Sequence, residues 1–307
     1  MFFCHASVPQ HQNFTMVVNI VDVYRAFCDG RDIKLQVDDT VNPYDNSTLF
    51  CPAGMQQFKV KFTSDETGTI ANVQSCLRIN DLDEIGDGTH FLFFDMLGMF
   101  SFRTLTLQQA VDFWLDFMDV LQIQIDYVTI HPDKMQEWSS LYDGRRIEVR
   151  PDSDCRWSDG TIGGYCTEFY KDEVEIGNIV CPLGDCIDSG FGLRRLEGVV
   201  NDPREMPQEE ILIETCDKLI YSGYSPSNKE QGYVLRKLLR KLYELNSTWN
   251  HPQFVAEKER QALITLRYRK NKNKKQFRSK SPQWWFDTMG VDVGAEESKL
   301  ESESESV

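Results

Sequence analysis

The chain has 307 residues, 41% of them hydrophobic and 12% aromatic, enough for two ordinary domains with real cores, which excludes a disordered chain. Its formal charge of −15 excludes a protein that coats nucleic acid or an anionic membrane with its whole surface and leaves only a local basic patch for such work. No apolar run approaches the roughly 18 residues of a membrane helix, and "MFFCHASVPQHQNF" has no basic region ahead of an apolar core, so a soluble cytoplasmic chain is expected.

From Phe14 to Phe27, "FTMVVNIVDVYRAF" repeats its apolar residues at helical spacing and predicts an amphipathic helix ended by "CDGRD". "STLFCPAGMQQFKVKF" reads as a short apolar strand broken by a Pro-Ala-Gly turn. "HFLFFDMLGMFSF" is too apolar for a surface and fits a strand at the centre of a sheet, with a bend at Gly98 as the alternative to burial on both faces. "TLQQAVDFWLDFMDVLQI" predicts a long helix capped by Thr106. Strands are expected at "DYVTIHP" and "RRIEVRP", and two more within "TEFYKDEVEIGNIVC". Helices among strands without βαβ alternation predict an α+β fold with a mixed, mainly antiparallel sheet over residues 1–200.

Beyond about Asn201 three amphipathic stretches, "PQEEILIETCDKLIYSG", "EQGYVLRKLLRKLYELN" and "FVAEKERQALITLRYRK", predict a second, helical domain over 201–294. The tail 295–307 is acidic and of low complexity, and disorder is expected there. The nine cysteines follow no regular spacing, which favours reduced thiols over a disulfide framework or a paired zinc site, and no protein metal ligand is assigned.

Chemistry is sought in four places. On the second C-terminal helix Arg236, Lys237, Arg240 and Lys241 repeat along one edge, and residues 266–280 add eight Lys or Arg without an acid. One such helix is more simply a solvated face; two basic segments together favour contact with a phosphate backbone. Arg78 in "SCLRINDLDEIG" has a surface ion pair as its default role. "WSDGTIGGYCTEFY", bracketed by Trp157 and Glu168, is either a glycine-rich ligand loop or a plain surface loop. "CIDSGFGLRRLEG" is a weak GxG that would let a backbone approach a ligand, with Arg195 able to meet phosphate through its planar fork.

Taken in order, "STLFCPAGMQQFKVKF", "SCLRINDLDEIG", "HFLFFDMLGMFSF", "YCTEFY", "EIGNIV", "IDSGFGLRRL", "PSNKEQGYVLRKLLRK" and "WWFDTMGVDV" resemble the alanyl-tRNA synthetase family of class II aminoacyl-tRNA synthetases. The resemblance covers most of Val21 to Val293. It implies a catalytic domain on an antiparallel sheet followed by a helical tRNA-recognition domain, with ATP, Mg²⁺, alanine and the acceptor stem of tRNA(Ala) as ligands. It implies neither DNA nor a membrane as partner, and a monomer is expected. Arg78 matches the arginine that contacts the α-phosphate of ATP, and Arg195 the one that holds the triphosphate tail, beside Gly192. Phe94 or Phe93 would support the adenine. Trp157, Asn178, Asp188 and Gly190 match positions framing the alanine, with Asp188 pairing its ammonium group. Asn228 and Asp287 match the pair that reads a G·U wobble in the acceptor stem, and Arg236 and Arg240 would grip neighbouring phosphates.

The chain departs from the family in four ways. The insert that follows the second-motif arginine is missing, Asp95 stands for a glutamate, Gly177 for a tryptophan, and Arg194 for the acid that precedes the third-motif arginine. A shortened form without the editing and C-terminal domains is expected. Three functions are compatible with these residues: an ATP-dependent alanine–tRNA ligase, a decayed synthetase acting as a tRNA decoy or regulator, and an activating enzyme with a non-tRNA acceptor.

Overall fold

The computed structural model describes residues 18–45, 47–158, 160–201, 206–289, 291, 293, 294 and 297, with backbone alone over 286–289. The N-terminal segment 1–13 and the expected disordered tail, apart from Glu297, lie outside them. By internal contacts the chain divides into two compact units. One comprises Met1–Asp39, Ala53–Cys76 and Phe94–Arg204; the other comprises Thr40–Pro52, Leu77–Phe93 and Glu205–Val307. The change of character near residue 201 is thus joined by two excursions, 40–52 and 77–93, that pack with the C-terminal helices.

Among the described residues nine strands form the sheet: β1 (Leu35–Asp38), β2 (Gly68–Leu77), β3 (Phe93–Phe102), β4 (Tyr127–Ile130), β5 (Glu148–Pro151), β6 (Arg156–Ser158), β7 (Gly163–Lys171), β8 (Val174–Val180) and β9 (Cys186–Gly192). Their order is β1-β2-β3-β9-β8-β7-β4-β5, with β6 added on β7. The β3–β9, β9–β8, β8–β7, β7–β4 and β6–β7 pairs are antiparallel, whereas β1–β2 and β4–β5 are parallel. This is the mixed, mainly antiparallel α+β architecture the sequence predicts, with β3 in the interior of the sheet.

One face of the sheet is covered by α1 (Ile20–Asp29), α3 (Leu107–Val120) and α5 (Leu193–Asn201), which pack with Ala71, Val73, Leu97, Met99, Ile187 and Phe191 into the main core. Asn19 caps α1 by accepting from the Asp22 amide. Thr106 and Gln109 form a reciprocal capping box on α3. The Trp114 indole donates to Ser189 Oγ at 2.7 Å and its ring stacks on Phe191 at 4.0 Å, tying α3 to β9. Each such fully buried large side chain contributes about 1.5–3 kcal/mol of burial energy.

The expected strand over 47–62 is not formed. Gly54–Phe58 makes a 3-10 turn that runs into α2 (Lys59–Thr63). Met55, Phe58 and Phe62 recur at helical steps and are buried with Phe100 and Phe102 against the other face of the sheet, so the helical period overrides the β-like composition. "CIDSGFG", the weak GxG of the sequence, forms the strand β9, which enters α5 without a connection. The glycine-rich stretch after Trp157 is a β6–β7 hairpin; a Cβ on Gly164 would fall 1.9 Å from Cys181 O, so that glycine serves a close backbone crossing. Beyond β4 the chain makes the short α4 (Met135–Trp138).

In the second unit α6 (Gln208–Tyr221), α7 (Glu230–Glu244) and α8 (Pro252–Asn271) bury Ile211, Leu212, Leu219, Leu235, Leu238, Leu239, Leu242 and Phe254 in one core, with Phe50, Leu82 and Leu92 from the excursions. The helix α9 (Pro282–Met289) places Trp285 against Tyr268 of α8. Among the described residues no helix is long and apolar enough to cross a membrane.

Candidate active site

Directly paired residues in a sheet project to the same face. Cross-strand register therefore aligns Thr129, Glu168, Asn178, Gly190 and Gly98 in one row, and Cys166, Val180, Asp188 and Phe100 in the next. Both rows lie on the face away from α1, α3 and α5. Trp157 on β6 packs between the Phe100 cluster and the Cys155, Cys166 and Val180 cluster at the edge of the same face. The residues expected to frame an amino acid thus lie on one face within the first unit.

Asp188 is the electrostatic centre of this face. Burial raises its pKa from 3.8 to about 7, and among the described residues no cation or hydrogen-bond donor offsets that cost. A carboxylate kept in such surroundings without a partner favours either a proton or an ammonium group. Around Gly190 the space is already used: a Cβ there would fall 2.6 Å from Met96 Sδ, so the thioether lies over the glycine. Beside Gly98 stands Asn72, fully buried, whose Nδ2 donates to Gly54 O at 3.2 Å while its Oδ1 has no partner among the described residues.

Glu175 joins two residues that sequence reasoning treats separately. Its Oε1 accepts from Asn178 Nδ2 at 3.4 Å, while its backbone oxygen accepts from Arg195 Nη1 at 2.5 Å and its Oε2 pairs with the same nitrogen at 3.4 Å. A Cβ on Gly192 would meet only the Arg195 stem, at 3.5 Å, an ordinary contact. Asp95 on β3 accepts from Ser75 Oγ at 2.7 Å. Burial raises the pKa of Glu197 on α5; the charge of Arg194 opposes that rise and the charge of Asp95 adds to it. The charge of Arg194 therefore acts on the acid at 197. Phe94 shares the Met96 side of β3 by alternation. Phe93 instead belongs to the second unit, where Lys218 lies 5.1 Å from its ring centre.

Glu168, which sequence reading notes only as a bracket, accepts from Tyr170 Oη at 2.9 Å and Thr129 Oγ1 at 3.4 Å. Its pKa is raised by burial and then by Glu175. Met96, Asn72 and Glu175 carry no motif signal; only strand register brings them to the site.

In the second unit Arg78 follows directly on β2. Its amide donates to Leu92 O at 2.8 Å and its Nε to Pro52 O at 2.9 Å. The chain passes from Arg78 into a 3-10 turn at Asn80–Asp83. The expectation that Arg236 presents its charge outward is corrected. Its guanidinium turns inward, donating to Asn228 Oδ1 and, at 3.0 Å, to Pro226 O, with Nε 3.6 Å from the buried Glu257 carboxylate. That carboxylate, 3% exposed and also held by Arg260 at 2.7 Å, draws Arg236 into the helix interface. Lys237 is exposed, Arg240 half-buried, and Arg267, Lys270, Lys274, Lys275 and Lys280 of the basic run are exposed. Asn228 is exposed before α7; Asp287 lies on α9, its side chain outside the described set.

Residues 33–178 match the family model of class II (A) tRNA synthetases. An alanine–tRNA ligase of Chlamydia muridarum is 29% identical over 71% of this chain and 34% of its own length, and one of Ehrlichia ruminantium is 28% identical over 64% and 31%. The chain thus spans about a third of the length of these relatives. Among solved structures, Staphylococcus aureus histidyl-tRNA synthetase aligns at 8% identity with a TM-score of 0.42, over 71% of this chain and 82% of that one.

Proposed function

We propose, from a chain that carries a class II tRNA synthetase domain and has alanine–tRNA ligases as homologues, that it activates alanine with ATP and passes the alanyl group to the 3′ end of tRNA(Ala). The observation that carries this reading is the unpartnered Asp188 carboxylate on the face that also bears Asn178 and Gly190. An alanine ammonium group supplies the missing counter-charge, and Trp157 and Asn178 border the remainder of the amino acid.

Attack of the alanine carboxylate on the α-phosphorus forms alanyl-adenylate and releases pyrophosphate. The reacting groups are both anionic, so the chemistry needs cations and alignment and no protein nucleophile. Arg78 is assigned to the α-phosphate, Arg195 with Gly192 to the triphosphate tail, and Phe94 to the adenine. Glu175 holds the Arg195 fork in place before ATP arrives. Mg²⁺ favours one or two carboxylates together with substrate phosphates, and Asp95 and Glu197, close enough for their charges to interact, are the residues that would hold it and so help neutralise the phosphates. In the second step the ribose hydroxyl of the tRNA attacks the adenylate carbonyl and loses its proton, the alanyl ester forms, and the acyl–phosphate bond breaks to release AMP. Asn228 and Asp287 are assigned to a G·U pair in the acceptor stem, and Lys237, Arg240 and the 266–280 run to its backbone.

The test is alanine-dependent exchange of labelled pyrophosphate into ATP. Exchange by the unmutated protein, abolished by Arg78→Ala, is the expected result. Folded protein that gives no exchange at any alanine concentration would refute the ligase reading.

A further inference from the structure

We propose that Cys155, Cys166 and Glu168 form a binding site for a zinc ion. Their ligand atoms all lie within 4.8 Å of one another. Both cysteines are buried, at 0% and 2% exposure, and both are reduced. Sequence spacing conceals the cluster, because eleven positions separate the two thiols along the chain. The β6–β7 hairpin folds that separation back: Cys166 N donates to Cys155 O at 3.0 Å, just beyond the Arg156–Tyr165 pair. Glu168 follows Cys166 by two residues on β7 and so shares its face.

Two soft sulfurs and one carboxylate suit zinc better than calcium or magnesium, which prefer all-oxygen shells. In a tetrahedral site with Zn–S of about 2.3 Å the sulfurs stand about 3.8 Å apart, within reach of small side-chain rotations here. The surroundings are also those of a prepared ligand. Glu168 Oε2 accepts from Tyr170 and Thr129, which leaves Oε1 directed toward Cys166, 3.8 Å from its sulfur. Thr129 Oγ1 in turn accepts from Cys155 Sγ at 3.0 Å. Hydroxyl donors that pin a carboxylate in this way are typical outer-shell partners. On binding, each thiol loses its proton to solvent and becomes a thiolate ligand, and water completes the fourth position. The ion would fasten the short strand β6 to the sheet and fix Glu168 beside Asn178, whether or not the chain is a ligase.

The full chain, purified reduced, is to be loaded with zinc or with cobalt(II) and freed of excess metal. One retained ion per chain is expected, with thiolate-to-cobalt charge-transfer absorption in the cobalt form. Cys166→Ser and Glu168→Gln should abolish retention or weaken it at least tenfold, and Tyr170→Phe by about tenfold, while Cys216→Ser in the other unit leaves it unchanged. Glu168→Gln keeps both thiols and the side-chain volume, so it reports even where a cysteine variant fails to fold. Folded, reduced protein that retains no metal, retention indifferent to these substitutions, or a Cys155–Cys166 disulfide formed in place of metal binding would overturn the proposal.

Discussion

Phe191 occupies the volume that a side chain at Gly177 would need. The two residues pair across β8 and β9, and a Cβ at 177 would fall 2.3 Å from Phe191 Cδ1. Phe191 has little room to retreat, since its ring stacks on Trp114 at 4.0 Å and packs against Phe169 at 5.4 Å. Gly177→Ala is therefore expected to cost about 1–3 kcal/mol through overpacking. Denaturant unfolding of Gly177→Ala, Phe191→Leu and the double variant should show a coupling that makes the double variant more stable than the sum of the two losses. A tryptophan at 177, expected from the resemblance, would require the loss of Phe191 as well.

Asp188 sets a pH dependence whose sign is determined. Its folded value of about 7 lies above the ordinary 3.8, so between those values the folded chain holds a proton that the unfolded chain has released. Its contribution to stability is then full below about pH 4 and is lost as pH rises toward about 7. Urea midpoints of the free protein at about pH 4.5 and about pH 7.5 should show this decline, and Asp188→Asn should remove that part of it. An ammonium ligand needs the ionised carboxylate, so alanine affinity should rise about tenfold per pH unit between about pH 5 and about pH 7.

Met96 is expected to limit the size of the amino acid. Because its thioether covers Gly190, Met96→Ala should open that face and raise exchange supported by larger amino acids, such as serine or 2-aminobutyrate, relative to alanine. Hydrophobic pockets discriminate one methylene by only about 1–3 kcal/mol, so the shift should be in the range of about tenfold. Unaltered relative exchange rates would show that Met96 does not border the substrate.

The two faces of α7 should separate stability from RNA binding. Glu257→Ala leaves Arg236 without its buried carboxylate and should cost about 3 kcal/mol in urea unfolding. Lys237→Ala should leave stability unchanged while weakening RNA binding and reducing its salt dependence. Asn228→Ala or Asp287→Ala should reduce preference for a G·U over a G·C acceptor stem. Equal binding of both stems by the unmutated protein would contradict that assignment.

Helices were the most legible part of the chain, because caps and apolar period are local signals. Thr106 and the recurrence through Phe113, Phe117 and Met118 suffice for α3. Strand β2 was hidden by Asn72 and Gln74, polar residues that are buried, so its alternation does not look like one wet and one dry face. Strand β9 was hidden by glycines that resemble a loop yet sit in the ladder. At the candidate site, Asp188 and Gly190 were picked out by the resemblance, and the strand register sets both on one face. Glu175, Met96 and the Cys155–Cys166 approach depend on register between strands distant in sequence. Arg236 was misread because its inward turn is dictated by Glu257, on a different helix.

The direct passage of β9 into α5 makes one mechanical piece of Gly190 and Arg195, the residues proposed to border the amino acid and to hold the triphosphate. With no slack between them, the two ends keep a common ruler: a residue added or deleted within α5 ahead of Arg195 would rotate the arginine about the helix axis by a full residue step, and one within β9 would slip the strand's register. Under the proposed function, substrate alignment is thus guarded by length as much as by chemistry, and variation there should be confined to exchanges that preserve the count.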